Sequence, residues 1–427
     1  MTKRQVHLGA HFPGVNATTI WTRPESGSQI DPASFAHLAR TAERGFMDLM
    51  FLAEGLRLRE HAGEIHDLDV VGRPDTLVQL AQVARQTSHI GLVATLSTTF
   101  NEPAEFARQL ATLDALSNGR AAWNLVTSHG AFFGANFRRG GFLADDDRYA
   151  RAESFTDAVF ALWDAAGTGE EVRVSDEFFD IAARPTVPPT PQGRPVVMQA
   201  GVSPEGREIA ARYADAIFSP FAAGPAAEDF AADMRRRLTA HGRADDALKI
   251  LPGTGFALGD THEEALEQAE RDRWDQVSPA TAVRQIETIW GRRFEGFDAE
   301  GALPPIGDVV EGVELSAGRA KVHTDNRAQA AELIERAEAE GLTARAVVVA
   351  TTTRRSPLVG TASEVAQIID ESVQERRSDG FMIIPSITPT GLDRFVDEVV
   401  PELQNRGSYR TEWTGRTLRE NLGSTGA

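Results

Sequence analysis

Short apolar runs alternate with amphipathic stretches along most of this chain, and that alternation predicts its elements. Residues 6–12 read as a first strand, after which Asp31 and Pro32 supply an N-cap and a first-turn proline for a helix predicted to run to about Arg44. Residues 48–53 (DLMFLA) form a second strand, followed by a long polar loop and a helix starting near Pro74 and Asp75. The runs 90–97, 121–127, 195–200, 216–219 and 249–258 continue the series, each followed by a helical pattern. The eighth is 380–385 (GFMIIP), with a helix over about 391–404. Nearly all of these strands are apolar on both faces, so the eight units predict a parallel (β/α)₈ TIM barrel, with a doubly wound sheet as the structural runner-up.

That count leaves sequence over. Residues of about 167–190 and 274–359 exceed what a βα unit needs and read as insertions over the carboxyl-terminal mouth of the barrel. One barrel domain over 1–427 then accounts for the chain, with a C-terminal extension over about 406–427 that carries enough aromatic and Leu residues to dock. At 427 residues and 41% hydrophobic content, a large core is affordable in surface terms. A net charge of -18 argues against nucleic acid or an acidic membrane as the main partner. Zero cysteines exclude disulfides, Cys-ligated zinc and thiol catalysis, and fit a cytoplasmic location. The N-terminal residues show no apolar targeting core, and no run of about 18 apolar residues occurs, so membrane spanning is not expected.

Candidate chemistry gathers at the strand ends. At QAGVSPEGREIA a strand turns through Gly201, Val202 and Ser203 into a helix with Pro204 in its first turn, so free amides, the helix dipole and the Ser203 hydroxyl make a receptor for phosphate. Ser203 as a plain N-cap is the simpler reading. A serine-hydrolase elbow fails because GxSxG needs glycine where Glu205 stands. In LADDDRYARAESF, capping and the helix dipole account for Asp145 to Asp147 in part, while Arg148 and Tyr149 stand where they can close on the same phosphate. His11 ends the first strand and His129 follows WNLVTS, so each is a candidate general base, ring contact or hydrogen-bonded loop residue. Trp21, Trp123, Phe132 and Phe133 either line a cavity for a flat ring or pack the core. HAGEIHDLD has metal-ligating residue types without metal-motif spacing and reads as a solvated loop, and GTGFALG lacks the βαβ setting of a dinucleotide fingerprint.

ERGFMDLMFLAEGL, IGLVATLSTTFNEPAEFARQLATLDALSNGRAAWNLVTS, DRYARAESF, PQGRPVVMQAGVSPEGR and the stretch from DGFMIIPSITPTG to LRENLG together resemble the nitrilotriacetate and dibenzothiophene-sulfone monooxygenases of the bacterial luciferase-like group, over about residues 5–423. The resemblance implies a two-component flavin-dependent monooxygenase. Reduced FMN would come from a separate NAD(P)H-dependent flavin reductase, O2 would be co-substrate, and the substrate would be a small sulfone, amine or aromatic heterocycle. It implies a homodimer or higher oligomer. It sets Thr95 and Asn124 near the flavin ring and makes Asn124 a catalytic candidate beside His11 and His129, which are candidates from their strand-end places alone, since the family's usual catalytic histidines cannot simply be copied onto this chain. It has the phosphate held by the Tyr149 hydroxyl, Ser203 and the amides of Val202 and Ser203, in agreement with the place of Arg148 and Gly201 read above from the residues. Departures accompany it: Glu54 stands where the family usually has Asp, and Asp145 where many members have His. Two other readings share the barrel, an F420-dependent dehydrogenase and a flavin-binding protein without turnover.

Overall fold

The computed structural model describes residues 3–12, 19–66, 69–128, 131–137, 147–318 and 325–424. Eight parallel strands close into a barrel in chain order: β1 His7–Phe12, β2 Leu49–Leu52, β3 Gly91–Ser97, β4 Ala121–Val126, β5 Val196–Gln199, β6 Ala216–Ser219, β7 Lys249–Thr254 and β8 Gly380–Ile383. Helices α1 Pro32–Arg44, α2 Thr76–Ala84, α3 Pro103–Leu116, α4 Asp147–Asp164, α5 Pro204–Tyr213 and α6 Pro225–Ala240 follow the first six strands. Their starts are written locally. The Asp31 carboxylate accepts from Ala33 N at 2.8 Å with Pro32 in the first turn, and Asp75 accepts from Val78 N at 2.9 Å.

Each strand is buried on both faces, which is why the sequence shows apolar runs rather than strict alternation. On β1, Leu8, Ala10 and Phe12 point out to the helices. Leu49, Phe51, Val93, Ala122, Val196, Met198, Ala216, Leu251 and Met382 fill the bore. The C-terminal extension closes the amino end of that bore: Leu418 and Leu422 join the same inward cluster, Leu418 N donates to Gly119 O at 3.0 Å, and Arg419 pairs with Asp215 at 2.6 Å. Arg410 from this extension also reaches the buried Asp48. Burial alone would raise that carboxyl, but Arg410 first and His7 next hold it below its ordinary range.

One expected strand divides. The run 249–258 supplies β7 only to Thr254; beyond Gly255, Phe256–Leu258 leaves the wall and pairs in parallel with Leu358–Gly360 outside the barrel. Both halves are apolar, so periodicity could not show the break.

The segment from Val172 to Ala183 is a two-stranded antiparallel hairpin packed against α4, with the Arg151 guanidinium 4.3 Å from the Phe179 ring centre. After β7 comes α7 His262–Asp275; the longer surplus segment then carries α8 Pro279–Trp290, α9 Asn326–Glu340 and α10 Ala344–Thr352 and leads to α11 Ala362–Gln374. Ile286, Trp290, Leu333 and Val347 belong to a small core of its own, separate from the barrel clusters. It is fastened to the loop leaving the carboxyl end of β2. His61 sits between Ser316 Oγ (2.9 Å from Nδ1) and Glu287 Oε2 (2.7 Å from Nε2), and Thr281 donates to Asp69 at 3.2 Å.

Candidate active site

At the carboxyl end of β5 the chain turns sharply into α5. Gln199 Oε1 accepts from Gly201 N at 2.7 Å, and Ser203 Oγ accepts from Gly206 N at 3.1 Å as the N-cap. A Cβ on Gly206 would stand 3.1 to 3.2 Å from the Gly201 backbone, so the turn lies directly on the first helical turn because neither residue has a side chain. Arg207 Nε donates to Val202 O at 2.9 Å and its guanidinium pairs with Asp233 at 2.9 Å, which anchors the turn from behind. Across from it, in the first turn of α4, the Tyr149 hydroxyl is 3.0 Å from Ser203 Oγ. Arg148 lies 4.6 Å from the Tyr149 ring centre and donates to its hydroxyl at 3.4 Å. Two hydroxyls, a guanidinium and the amino-terminal end of a helix therefore converge, which is the donor set for an anion.

The barrel mouth has a different character. Thr95 and Asn124 face each other in register on β3 and β4, and Asn124 Nδ2 donates to Thr95 Oγ1 at 3.0 Å. Asn124 Oδ1 is buried with no hydrogen-bond partner among the described residues. Just past β2, burial and then the charge of Asp75 raise the Glu54 carboxyl from its ordinary 4.5 to about 8, so it is protonated over most of the neutral range.

His11 is 4% exposed, and neither ring nitrogen has a partner among the described residues. Burial pushes its pKa down to about 4. Its ring meets Phe51 edge to face at 5.1 Å and Phe218 at 5.8 Å, while Phe51 and Phe218 stack at 5.7 Å. A Cβ on Gly253 would fall 2.2 Å from the Phe218 ring, so β7 gives way there to admit it.

The expected residues thus divide. Tyr149, Arg148, Ser203, Val202 and Gly201 come together at one place, and Thr95 with Asn124 at another. His129 and Asp145 lie outside the described residues. Trp123 is no cavity wall: fully buried on the outer face of β4, it packs on Phe106 at 4.6 Å and Phe155 at 5.9 Å and donates to Leu96 O at 2.9 Å. Phe132 carries the Arg57 guanidinium 4.1 Å over its ring. In HAGEIHDLD, His61 is taken up in the bond to Glu287, and no group of three metal-ligating side chains occurs among the described residues. Gln199, Phe51 and Phe218 were not singled out from sequence. A glutamine ending the apolar run VVMQ is the signal that could have found the first; the two phenylalanines look like any core residue.

The description of the luciferase-like monooxygenases matches residues 13–379. The chain belongs to that family. Within this luciferase-like family it is 35% identical to nitrilotriacetate monooxygenase component A of Aminobacter aminovorans, over 97% of this chain and 94% of that one. It is 32% identical to a dibenzothiophene-sulfone monooxygenase of Rhodococcus erythropolis, over 99% and 97%. Among solved structures, a riboflavin lyase crystallised with modified FMN and riboflavin superposes with a TM-score of 0.76 at 27% identity, covering 99% of this chain and 97% of that one. No helix among the described residues is long and apolar enough to cross a membrane.

Proposed function

We propose that this luciferase-like monooxygenase works with reduced FMN, delivered by a separate NAD(P)H-dependent flavin reductase, and uses O2 to oxygenate a small organic substrate. The observation that carries the reading is the Tyr149 and Ser203 hydroxyl pair, 3.0 Å apart at the N-terminus of α5 beyond the end of β5. Ser203, Tyr149, Arg148 and the amides of Val202 and Ser203 would hold the phosphate. The buried, unpartnered Asn124 Oδ1 beside Thr95 fits the polar edge of a flavin ring, since an amide oxygen in that position needs a donor. When bound, the flavin supplies the activation of oxygen. The chain's own work is to position and to keep dry. Thr95 fixes the Asn124 amide so that its oxygen points one way, the protonated Glu54 offers a donor, and Phe51 and Phe218 keep water from the bore. The inserted segment with its own core, tied to the β2 loop through His61 and Glu287, supports a cover over the mouth. A modified FMN in one related structure and the naming of another relative as component A of its monooxygenase support the cofactor and the two-component scheme.

The test is direct. Purified protein is titrated with FMN and with F420, then supplied with a flavin reductase, NADH and candidate sulfones, amines and heterocycles under air. FMN binding and oxygen-dependent product formation are expected. Binding of F420 in place of FMN, or product formed under strict anaerobiosis, would reject the reading.

A further inference from the structure

With a flavin held between Ser203 and Asn124, as proposed above, the remaining wall of the bore faces the substrate, and among the described residues that wall carries the polar side chain of His11 on β1. Both of its nitrogens are buried without a partner, in a collar made by the edges and faces of Phe51 and Phe218. An unpaired ring in such a place is destabilising by itself, and a hydrocarbon ligand would leave it so. The burial that pushes its pKa to about 4 keeps the ring neutral at physiological pH, with one N–H to donate and one lone pair to accept. Among the described residues no carboxylate or cation bonds either His11 nitrogen, and phenyl rings offer an anion no counter-charge, so a carboxylate or sulfonate brought here would be desolvated without compensation. An uncharged oxygen satisfies the N–H at no such cost. We propose that His11 is a specificity-determining residue, whose imidazole donates a hydrogen bond to an uncharged polar oxygen of the substrate, such as a sulfonyl or carbonyl oxygen, within the collar of Phe51 and Phe218.

Nitrogen-15 NMR of histidine-labelled protein reads the contact without turnover, His11 being identified by the resonances missing from His11→Phe. Dimethyl sulfone is the uncharged probe and acetate the anionic one, each added with and without FMN. Dimethyl sulfone is expected to move the His11 ring resonances and acetate to leave them. His11→Phe, with His11→Leu as a second variant should the larger ring not pack, is expected to bind dimethyl sulfone about tenfold more weakly. FMN affinity should stay within about threefold of wild type, and the thermal midpoint should be no lower, because a buried unpaired polar group has been removed. The inference is overturned if FMN alone moves the His11 resonances, if acetate moves them more than the sulfone, if the sulfone leaves them still, or if the variants bind it as tightly as wild type. Failure of wild type to bind FMN would instead strike the flavin reading, since the sulfone arm without FMN reads His11 independently.

Discussion

The turn before α5 and the bore between β1, β2 and β6 handle their polar groups in opposite ways. At the turn, every polar side chain has a protein partner while it waits: Tyr149 and Ser203 bond to each other, Ser203 caps Gly206, and Gln199 bonds Gly201 N. Inside the barrel, Asn124 Oδ1 on β4 and both nitrogens of His11 have none among the described residues. A half-exposed receptor for a doubly charged group can rest in a self-satisfied state, because its own short bonds are exchanged for stronger charge-assisted ones when the anion arrives. A buried site has no such exchange partner, so its unpaired groups define the ligand by what they lack.

The largest effect is expected where that contrast is set by backbone alone. Gly206→Val forces branched methyls into the Gly201 backbone, which even a Cβ would meet at 3.1 to 3.2 Å, and so lifts the turn off the helix. FMN affinity should fall at least about 100-fold, roughly 2.7 kcal/mol, by fluorescence titration. The bore should be untouched, so dimethyl sulfone should still move the His11 resonances. Loss of both responses together would mean that the two regions are not separable.

Next comes a buried acid just past the end of β2. Glu54 has its pKa raised in the folded state, from 4.5 to about 8, by burial and then by Asp75. Between those values the native protein holds a proton that the unfolded chain has released. The stability contributed by the protonated form is therefore fully present below about pH 4.5 and is lost as pH rises through about 8. Glu54 keeps some contact with solvent, so the loss is discounted to about 1–2 kcal/mol. Glu54→Gln, which keeps a donor and cannot ionise, should show a flatter decline in urea midpoint between pH 5 and 8. Parallel profiles for the two proteins would show that Glu54 titrates as an ordinary surface acid.

The same contrast explains what could be read from the chain beforehand. The barrel was legible because each strand is a local apolar run and several of the following helices open with a local cap, Asp31, Asp75 and Ser203 among them. The α5 turn was legible for the same reason, its glycines, serine and proline lying within GVSPEG. The bore was legible only in part. His11, Phe51, Phe218 and Gly253 come from four strands that meet only on closure, and of these the chain marked His11 alone, as a polar residue at a strand end, and not the rings that surround it. Trp123 could be placed on either face by composition, and only the register of β4 sends it outward onto Phe106 while Asn124 turns in. The break after Thr254 was hidden because the departing strand is as apolar as the wall it leaves.

The smallest expected effect discriminates most finely between the two regions. Tyr149→Phe removes one hydroxyl from a partly exposed position and leaves the ring under Arg148, so packing and the cap on Gly206 persist. Folded-state stability should change by less than about 0.5 kcal/mol, as for surface changes away from special features. Affinity for FMN should fall about fivefold, near 1 kcal/mol, as for one hydrogen bond to a charged acceptor in a wet site. Riboflavin lacks the phosphate and makes the control: its affinity should be the same for wild type and variant. If riboflavin weakened as much as FMN, the hydroxyl would be acting on the ring, and the turn before α5 would lose its role as the phosphate seat. If neither weakened, the bond to Ser203 would be a structural link between α4 and α5, and the anion would have to be sought among the amides alone.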